Sequence, residues 1–258
     1  MEKLSVSDLK NSLETKLIGD EILIFRSVSS TQDVARKLLE QGGAEGTVVL
    51  AETQTGGRGR FGKDWVSPEG VGIWASIILH PAPYLREGDG VIPFSLACSV
   101  AVANAIRKVT GLKSSIKWPN DVLLNRKKVA GILVEISGGS IIVGVGINVN
   151  QERFPGSLED SATSLMMESG GEVSRISVVR EVLHQLECYY ALLMEKGFAP
   201  VIDEMRNLSA VFGKQVVVSS NGKRYAGEAV DLDTDGALLI RLDSGIRVRV
   251  VTGSVRIL

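Results

Sequence analysis

Leucines at 9, 13 and 17 recur every fourth residue, a spacing that predicts a helix over 5–17. EILIF at 21–25 follows as a strand, and SSTQD at 29–33 offers Ser30 or Thr31 as the cap of a second helix. That helix would carry Val34, Leu38 and Leu39 on its apolar side and stop near Gly42 and Gly43. GTVVLAE (46–52) and VGIWASIIL (71–79) are rich in β-branched or aromatic residues and read as strands on either side of a glycine-rich stretch. The span 92–109 is dominated by alanine and valine, with its first charges at Arg107 and Lys108, and predicts a buried helix. SIKW, DVLLN, KVAGILVEIS and SIIVGVGINVN then give a set of β segments punctuated by Pro119-Asn120 and Asn125-Arg126-Lys127. A helix over 176–196 and a shorter one to about Asn207 come next. From Gly213 onward only short β patterns remain, broken by Asn221-Gly222, Asp235-Gly236 and Ser244-Gly245, which predicts a separate small barrel of about five strands.

Composition narrows the class. At 258 residues and 44% hydrophobic the chain can bury a sizeable core. The 29 lysines and arginines are balanced by 30 acids, and that near-neutrality argues against a protein that grips nucleic-acid phosphates along an extended face. The charged start MEKLSVSDLKNSLETK has no signal-peptide core, and SLACSVAVANAI is too short to span a bilayer, so a cytoplasmic protein without membrane partners is expected. Cys98 and Cys188 lie far apart and outside any metal spacing, and both read as buried thiols. His80 and His184 have no partner pattern and read as structural.

Three stretches concentrate polar chemistry. TGGRGRFGKDW (55–65) combines a permissive backbone with cations and a tryptophan, which suits close approach to an anion, although an exposed solvated turn has the same composition. It matches neither common phosphate-loop fingerprint. In KWPNDVLLNRKKVAGILVE (117–135), Lys117 and Lys128 would be point cations at rigid strand ends, and Asp121 would either bind Mg²⁺ or tether an arginine. In GVGINVN (144–150) two glycines inside a strand imply a ligand or another backbone close by, and Asn148 has the groups to read an adenine edge.

Taken together and in order, SSTQ (29–32), ETQTGGRGRFGKDW (52–65), KWPNDV (117–122), RKKVAGILVE (126–135) and GVGINVN (144–150) resemble biotin protein ligases. The resemblance implies an α+β fold: a mixed-sheet catalytic domain of the biotin/lipoate ligase, class II synthetase-like type at 1–207, then a small SH3-like β-barrel at 208–258. It implies formation of biotinyl-5′-adenylate from biotin and ATP with Mg²⁺, followed by transfer of biotin to a lysine of a biotin carboxyl carrier domain. By the same resemblance Ser30, Thr31, Gln32 and Gln54 hold the biotin head group, with Gln32 standing where many relatives have asparagine. Gly57, Arg58, Gly59 and Arg60 form the loop over the ligand, and Lys128 meets the carboxylate. Gly131, Gly144 and Gly146 let strands pass close beneath it, Lys117, Asn120 and Asp121 lie near the phosphates, and Trp65 and Asn148 hold the adenine. Mg²⁺ would accompany ATP, near Asp121. Bifunctional relatives carry an N-terminal DNA-binding domain, and with so short a stretch before the first strand no operator binding is expected. A homodimer through sheet edges near 140–150 is allowed. The rival reading, a lipoate or octanoate ligase or transferase, shares the fold and a lysine near the acyl carboxylate. A nucleic-acid-binding module is disfavoured by the charge balance and by aromatics at only 5%.

Overall fold

The computed structural model describes residues 2–81 and 91–258. Its centre is a seven-stranded mixed sheet in the order β1-β2-β3-β7-β6-β5-β4. The strands are β1 (Ile22–Val28), β2 (Val48–Gln54), β3 (Gly72–Leu79), β4 (Ser115–Lys117), β5 (Asp121–Leu124), β6 (Lys127–Ser137) and β7 (Ser140–Asn148). Only β1 and β2 run parallel. They are joined by the helix α2 (Thr31–Glu40), whose Ala35 and half-buried Val34, Leu38 and Leu39 cover one face of the sheet over Val49, Ile78 and Ile142. The opposite face packs on α3 (Ile92–Thr110), α5 (Arg175–Lys196) and α6 (Ala199–Leu208). The helix α3 is long and apolar enough to cross a membrane, yet 72% of its apolar window is buried inside the protein, which makes it a core helix. It ends on Gly111 in the left-handed conformation, the usual helix stop. Between β5 and β6 the turn residues Asn125 and Arg126 both have positive φ, as a two-residue hairpin requires.

The predicted strands and the helices after residue 92 are present with small shifts in their ends. Three expectations are corrected. The helix over 5–17 shrinks to α1 (Val6–Lys10). Ser5 starts it by accepting from the Asp8 N–H, and Ser12 at φ 72 lies just beyond its end. The following strap is instead held by the Glu187 carboxylate, which accepts the N–H groups of Lys16, Leu17 and Ile18 at 2.7–2.8 Å. Cys98 is buried, and that burial pushes its thiol up to about 12, but Cys188 is exposed on α5 with His184 Nε2 3.7 Å away. Finally, 140–150 has no free sheet edge, because β7 is paired with β3 on one side and β6 on the other. His80 is structural, bonded to the Ser140 hydroxyl and the Gly43 carbonyl.

A short helix α4 (Leu165–Ser169) lies between the sheet and α5. The last fifty residues form a five-stranded antiparallel sheet of β8 (Gln215–Ser220), β9 (Lys223–Leu232), β10 (Leu238–Leu242), β11 (Arg247–Val250) and β12 (Ser254–Ile257), in the order β11-β10-β9-β8-β12. Trp118 joins this unit to the large one: 1% exposed, it donates from Nε1 to the Gly236 carbonyl at 2.9 Å. Gly236 is wedged against Ile92, Leu96 and Phe198 at a positive φ, so no side chain fits there.

Candidate active site

Side chains alternate across a strand, and in β7 that alternation separates core from cleft. Val143, Val145 and Ile147 face the packed interior, while Gly144, Gly146 and Asn148 face a cavity of about 620 Å³. Cross-strand registry places Lys117, Asp121, Gly131, Gly146 and Trp74 in one row over four ladders. The neighbouring row on the same face contains Leu133, Gly144 and Ser76. The glycines are required by what lies on them. A Cβ on Gly146 would sit 2.5 Å from the Trp65 ring, and one on Gly131 2.8 Å from the same ring. The indole thus rests on a bare peptide floor, and its Nε1–H is buried with no hydrogen-bond partner among the described residues.

One end of the cleft is a chain of uncharged hydrogen bonds. The N–H and hydroxyl of Thr31 both donate to Gln54 Oε1, at 2.9 and 3.2 Å. Gln54 Nε2 donates to the Ser67 hydroxyl at 2.9 Å, and the Ser76 hydroxyl donates to Thr31 Oγ1 at 2.8 Å. Gln32 is buried beside them and donates from Nε2 to Glu135 Oε2 at 2.8 Å. Ser30 lines the cavity as the residue preceding α2, without a side-chain cap bond. Gly57 is not open to the cavity; it packs against the Trp65 carbonyl and Ser67 with no room for a Cβ.

The other end is ionic. Asp121 Oδ1 meets Lys128 Nζ at 2.5 Å and Oδ2 meets Lys117 Nζ at 3.1 Å. Burial would raise the Asp121 carboxyl, but the attraction of Lys128 and then Lys117 outweighs it and holds the group below its ordinary value. Both oxygens are therefore paired, and where an arginine tether was foreseen Asp121 instead tethers two lysines. Among the described residues no group of three or more His, Cys, Asp or Glu side chains could hold a metal. No all-protein cage for Mg²⁺ is present among the described residues, and an ion arriving with ATP would be held chiefly by the phosphates. The main chain of Lys128 is clamped, its N–H donating to the Ser161 carbonyl and its carbonyl accepting from Thr163. A register slip in the β5–β6 ladder next to it re-aims the strand. The ammonium lies 5.0 Å from the Trp65 ring centre, in cation–π range. Asn120 is buried and pinned by exchanging bonds with Ile132.

The glycine loop is a small hairpin closed by Gly59 N–H to the Lys63 carbonyl and Trp65 N–H to the Gly57 carbonyl, with Phe61 at φ 59 at its tip. Its two arginines part company. Arg58 makes a two-point bond with Asp33 at 2.6 and 2.9 Å, which raises the guanidinium and lowers the carboxyl through that same bond. Arg60 donates to Asn120 Oδ1, the Gly253 carbonyl and Thr252 Oγ1 at 3.0–3.1 Å. Burial lowers the Arg60 guanidinium, opposed by Asp121. Asn148 lines the cavity, but its amide is engaged, donating to the Thr163 carbonyl and accepting from Gln151.

The structure thus gathers in one cleft every residue foreseen for it except Gly57. It adds residues the sequence reading missed: Lys63 and Asp64 of the loop, Phe154, Leu158 and Ala162, and a wall from the C-terminal sheet that includes Ser219, Arg224 and Arg256. The basic pair Lys223-Arg224 and the lone Arg256 were the available signal, but nothing in their spacing ties them to a cleft in another domain. Seven cationic side chains (58, 60, 63, 117, 128, 224 and 256) line the cavity against the carboxylates of Asp64 and Asp121, an excess that favours a polyanion.

Comparison with known proteins agrees. Residues 24–152 match the model described as the biotin/lipoate A/B protein ligase family, and 211–257 match the biotin protein ligase C terminal domain. A bifunctional ligase/repressor BirA of Bacillus spizizenii is 37% identical over 252 residues, covering 95% of this chain and 77% of that protein. The chain belongs to the biotin/lipoate A/B protein ligase family. Within the family, a biotin–[acetyl-CoA-carboxylase] ligase of Mycobacterium tuberculosis is 29% identical over 94% of this chain and 92% of its own length. The solved biotin protein ligase from Aquifex aeolicus in complex with biotin and ATP superposes with a TM-score of 0.83 at 31% identity, covering 93% of this chain and 99% of that one.

Proposed function

We propose that this member of the family is an ATP-dependent biotin–protein ligase. One observation carries the reading: a single glycine-floored cleft has an uncharged hydrogen-bonding end at Thr31, Gln54 and Ser76 and a cationic end at Lys117, Lys128 and Arg60. That polarity suits a molecule with a polar, neutral head and an acid tail that must be brought against a triphosphate. The family resemblance and the relatives named above support biotin as the first substrate and ATP, arriving as its magnesium complex, as the second.

In the first step a biotin carboxylate oxygen attacks the α-phosphorus, the bond from that phosphorus to the bridging oxygen of the β-phosphate breaks, and pyrophosphate leaves with the electron pair. Two anions must approach, and Lys128, fixed by its clamped main chain and by Asp121, supplies a cation at their meeting point without needing to reorganise. Arg58 and Arg60 screen the same repulsion from the loop side, and Trp65 with Asn148 forms the nucleoside end of the cleft. The Gly131–Gly146 floor seats the Trp65 indole, and that seated ring supports the placement of the adenine. In the second step the amine of an acceptor lysine attacks the carbonyl of the mixed anhydride, AMP leaves, and the ammonium gives up its proton as the amide forms. The loop hairpin over the cleft keeps water from competing for the anhydride. The acceptor is a biotin carboxyl carrier domain, and the division into a catalytic unit at 1–207 and an SH3-like unit at 208–258 is part of the same reading.

Incubation with radiolabelled biotin, MgATP and a purified carrier domain tests this directly: covalent label on one carrier lysine is expected. Pyrophosphate release with lipoate but not with biotin would transfer the reading to the lipoate branch of the family.

A further inference from the structure

We infer that Glu135 is a positioning residue that sets which way the Gln32 carboxamide faces, making Gln32 Oε1 the acceptor for an N–H of the ligand's head group. Gln32 is the second residue of α2 and only 4% exposed. An ionised carboxylate has acceptors and no donor, so the amide must turn its NH₂ group toward Glu135, and Nε2 donates to Glu135 Oε2 at 2.8 Å. The same oxygen accepts from Arg36 Nη2 at 2.9 Å, which holds the carboxylate in place. Oε1 is thereby directed the other way, over Gly144, where a Cβ would come within 3.1 Å of it. There it is buried and has no hydrogen-bond partner among the described residues.

A buried acceptor without a donor is destabilising, and such groups are uncommon unless something else supplies the donor. Around it the polar lattice is already spent: Gln54 is bonded through both its oxygen and its nitrogen, and Thr31 and Ser76 are bonded to one another. Among the described residues the Gln32 carbonyl is the fully buried acceptor at this end of the cavity that has no hydrogen bond. A ureido ring carries two N–H donors and a dithiolane ring carries none, so this one atom distinguishes the two ligand classes of the family. The inference rests on the proposed biotin reading and adds to it a residue pair, Glu135 and Arg36, that acts on the ligand only through Gln32. If Glu135 is removed, the donors of Arg36 are free to draw the Gln32 oxygen out of the cavity.

The test uses the full chain with three substitutions, Gln32→Met, Glu135→Ala and Glu135→Asp, and two ligands: biotin, and its carbamate analogue in which a ring oxygen replaces one ureido N–H. Gln32→Met and Glu135→Ala should each weaken biotin binding by about tenfold in calorimetry, the loss of one well-made hydrogen bond and its desolvated partner. The double variant should be no weaker than either single one, because both act on the same atom. The KM for ATP should stay put, Glu135→Asp should restore part of the affinity, and wild type should disfavour one regioisomer of the analogue while Gln32→Met does not. A Gln32→Met protein that binds biotin like wild type, losses that multiply in the double variant, or an ATP KM that moves by the same factor would overturn the inference. Should a variant fail to fold, the analogue measured on wild type decides alone, since equal affinity for biotin and both regioisomers rules out an acceptor that needs the N–H. Absence of pyrophosphate release by wild type with biotin would overturn the functional reading as well, so the two failures are distinguishable.

Discussion

At one end of the cleft Thr31, Gln54, Ser67 and Ser76 satisfy one another inside the central sheet and the helix packed on it; at the other, Arg60 reaches 193 residues along the chain to Gly253 and Lys128 shares Asp121 with Lys117. The first end is neutral and largely finished before any ligand arrives. The second is an arrangement of charges, half of it borrowed from a loop and from the small domain. Preformed neutral lattices select by shape and donor pattern, whereas arranged charges act on whatever develops charge during reaction. The difference therefore assigns recognition to one end and rate to the other.

The sharpest way to break that division is Lys128→Ala. The rate of adenylation, followed by pyrophosphate release, should fall by about a hundredfold or more, while the biotin dissociation constant moves by less than about threefold. Equal losses in both would place Lys128 in ground-state binding and erase the contrast. Next in size is Gly146→Ala, whose methyl would sit 2.5 Å from the Trp65 ring and push it off its floor. The KM for ATP should rise about tenfold with biotin affinity nearly unchanged; a biotin defect of the same size would mean that the two ends share this strand more than their chemistry suggests.

How much of this was legible follows the same contrast. Ser30 and Thr31 stand in a compact motif at the start of α2, and Gln54, Lys128 and the three cleft glycines lie in strands that fix their side-chain alternation, so their convergence could be read along the chain. The C-terminal strands could also be read, from the hairpin turns at Asn221-Gly222, Asp235-Gly236 and Ser244-Gly245. What could not be read is which distant surfaces meet. Arg224, Arg256 and the Thr252–Gly253 turn enter the cleft because Trp118 and Gly236 dock the small domain there, and no local pattern encodes that docking. The 5–17 stretch misled for a similar reason: its leucine spacing is helical, but Glu187, some 170 residues away, offers three N–H groups a better acceptor than another helical turn. Asp121 lies in the corner foreseen for it but pairs with lysines rather than an arginine, since sequence order does not say which cation will fall opposite a carboxylate.

Smaller effects sharpen the picture at the charged end. Arg60→Gly removes three hydrogen bonds between loop, floor and small domain, and labelling of non-acceptor lysines by escaped adenylate should rise about fivefold. Confinement of label to the acceptor would show that the loop seals without it. Thr252→Val takes away one of those bonds and should give about a twofold rise. The last test is pH. Asp121 is held below its ordinary carboxyl value, so the stability it contributes is fully present above about pH 4 and is lost only as the pH falls through the lowered value. Thermal unfolding of Asp121→Asn measured between about pH 2 and 7 should lose this acid limb; an unchanged profile would mean that the two lysines gain nothing from it.

Arg60 also has a mechanical meaning. One side chain is fastened at once to the floor of the reaction chamber and to a turn of a separate module, so the lid and the joint between modules are latched by the same bolt. Whatever releases spent nucleotide must also slacken that joint, and a pair of fluorophores placed across it would report each turnover as a flicker.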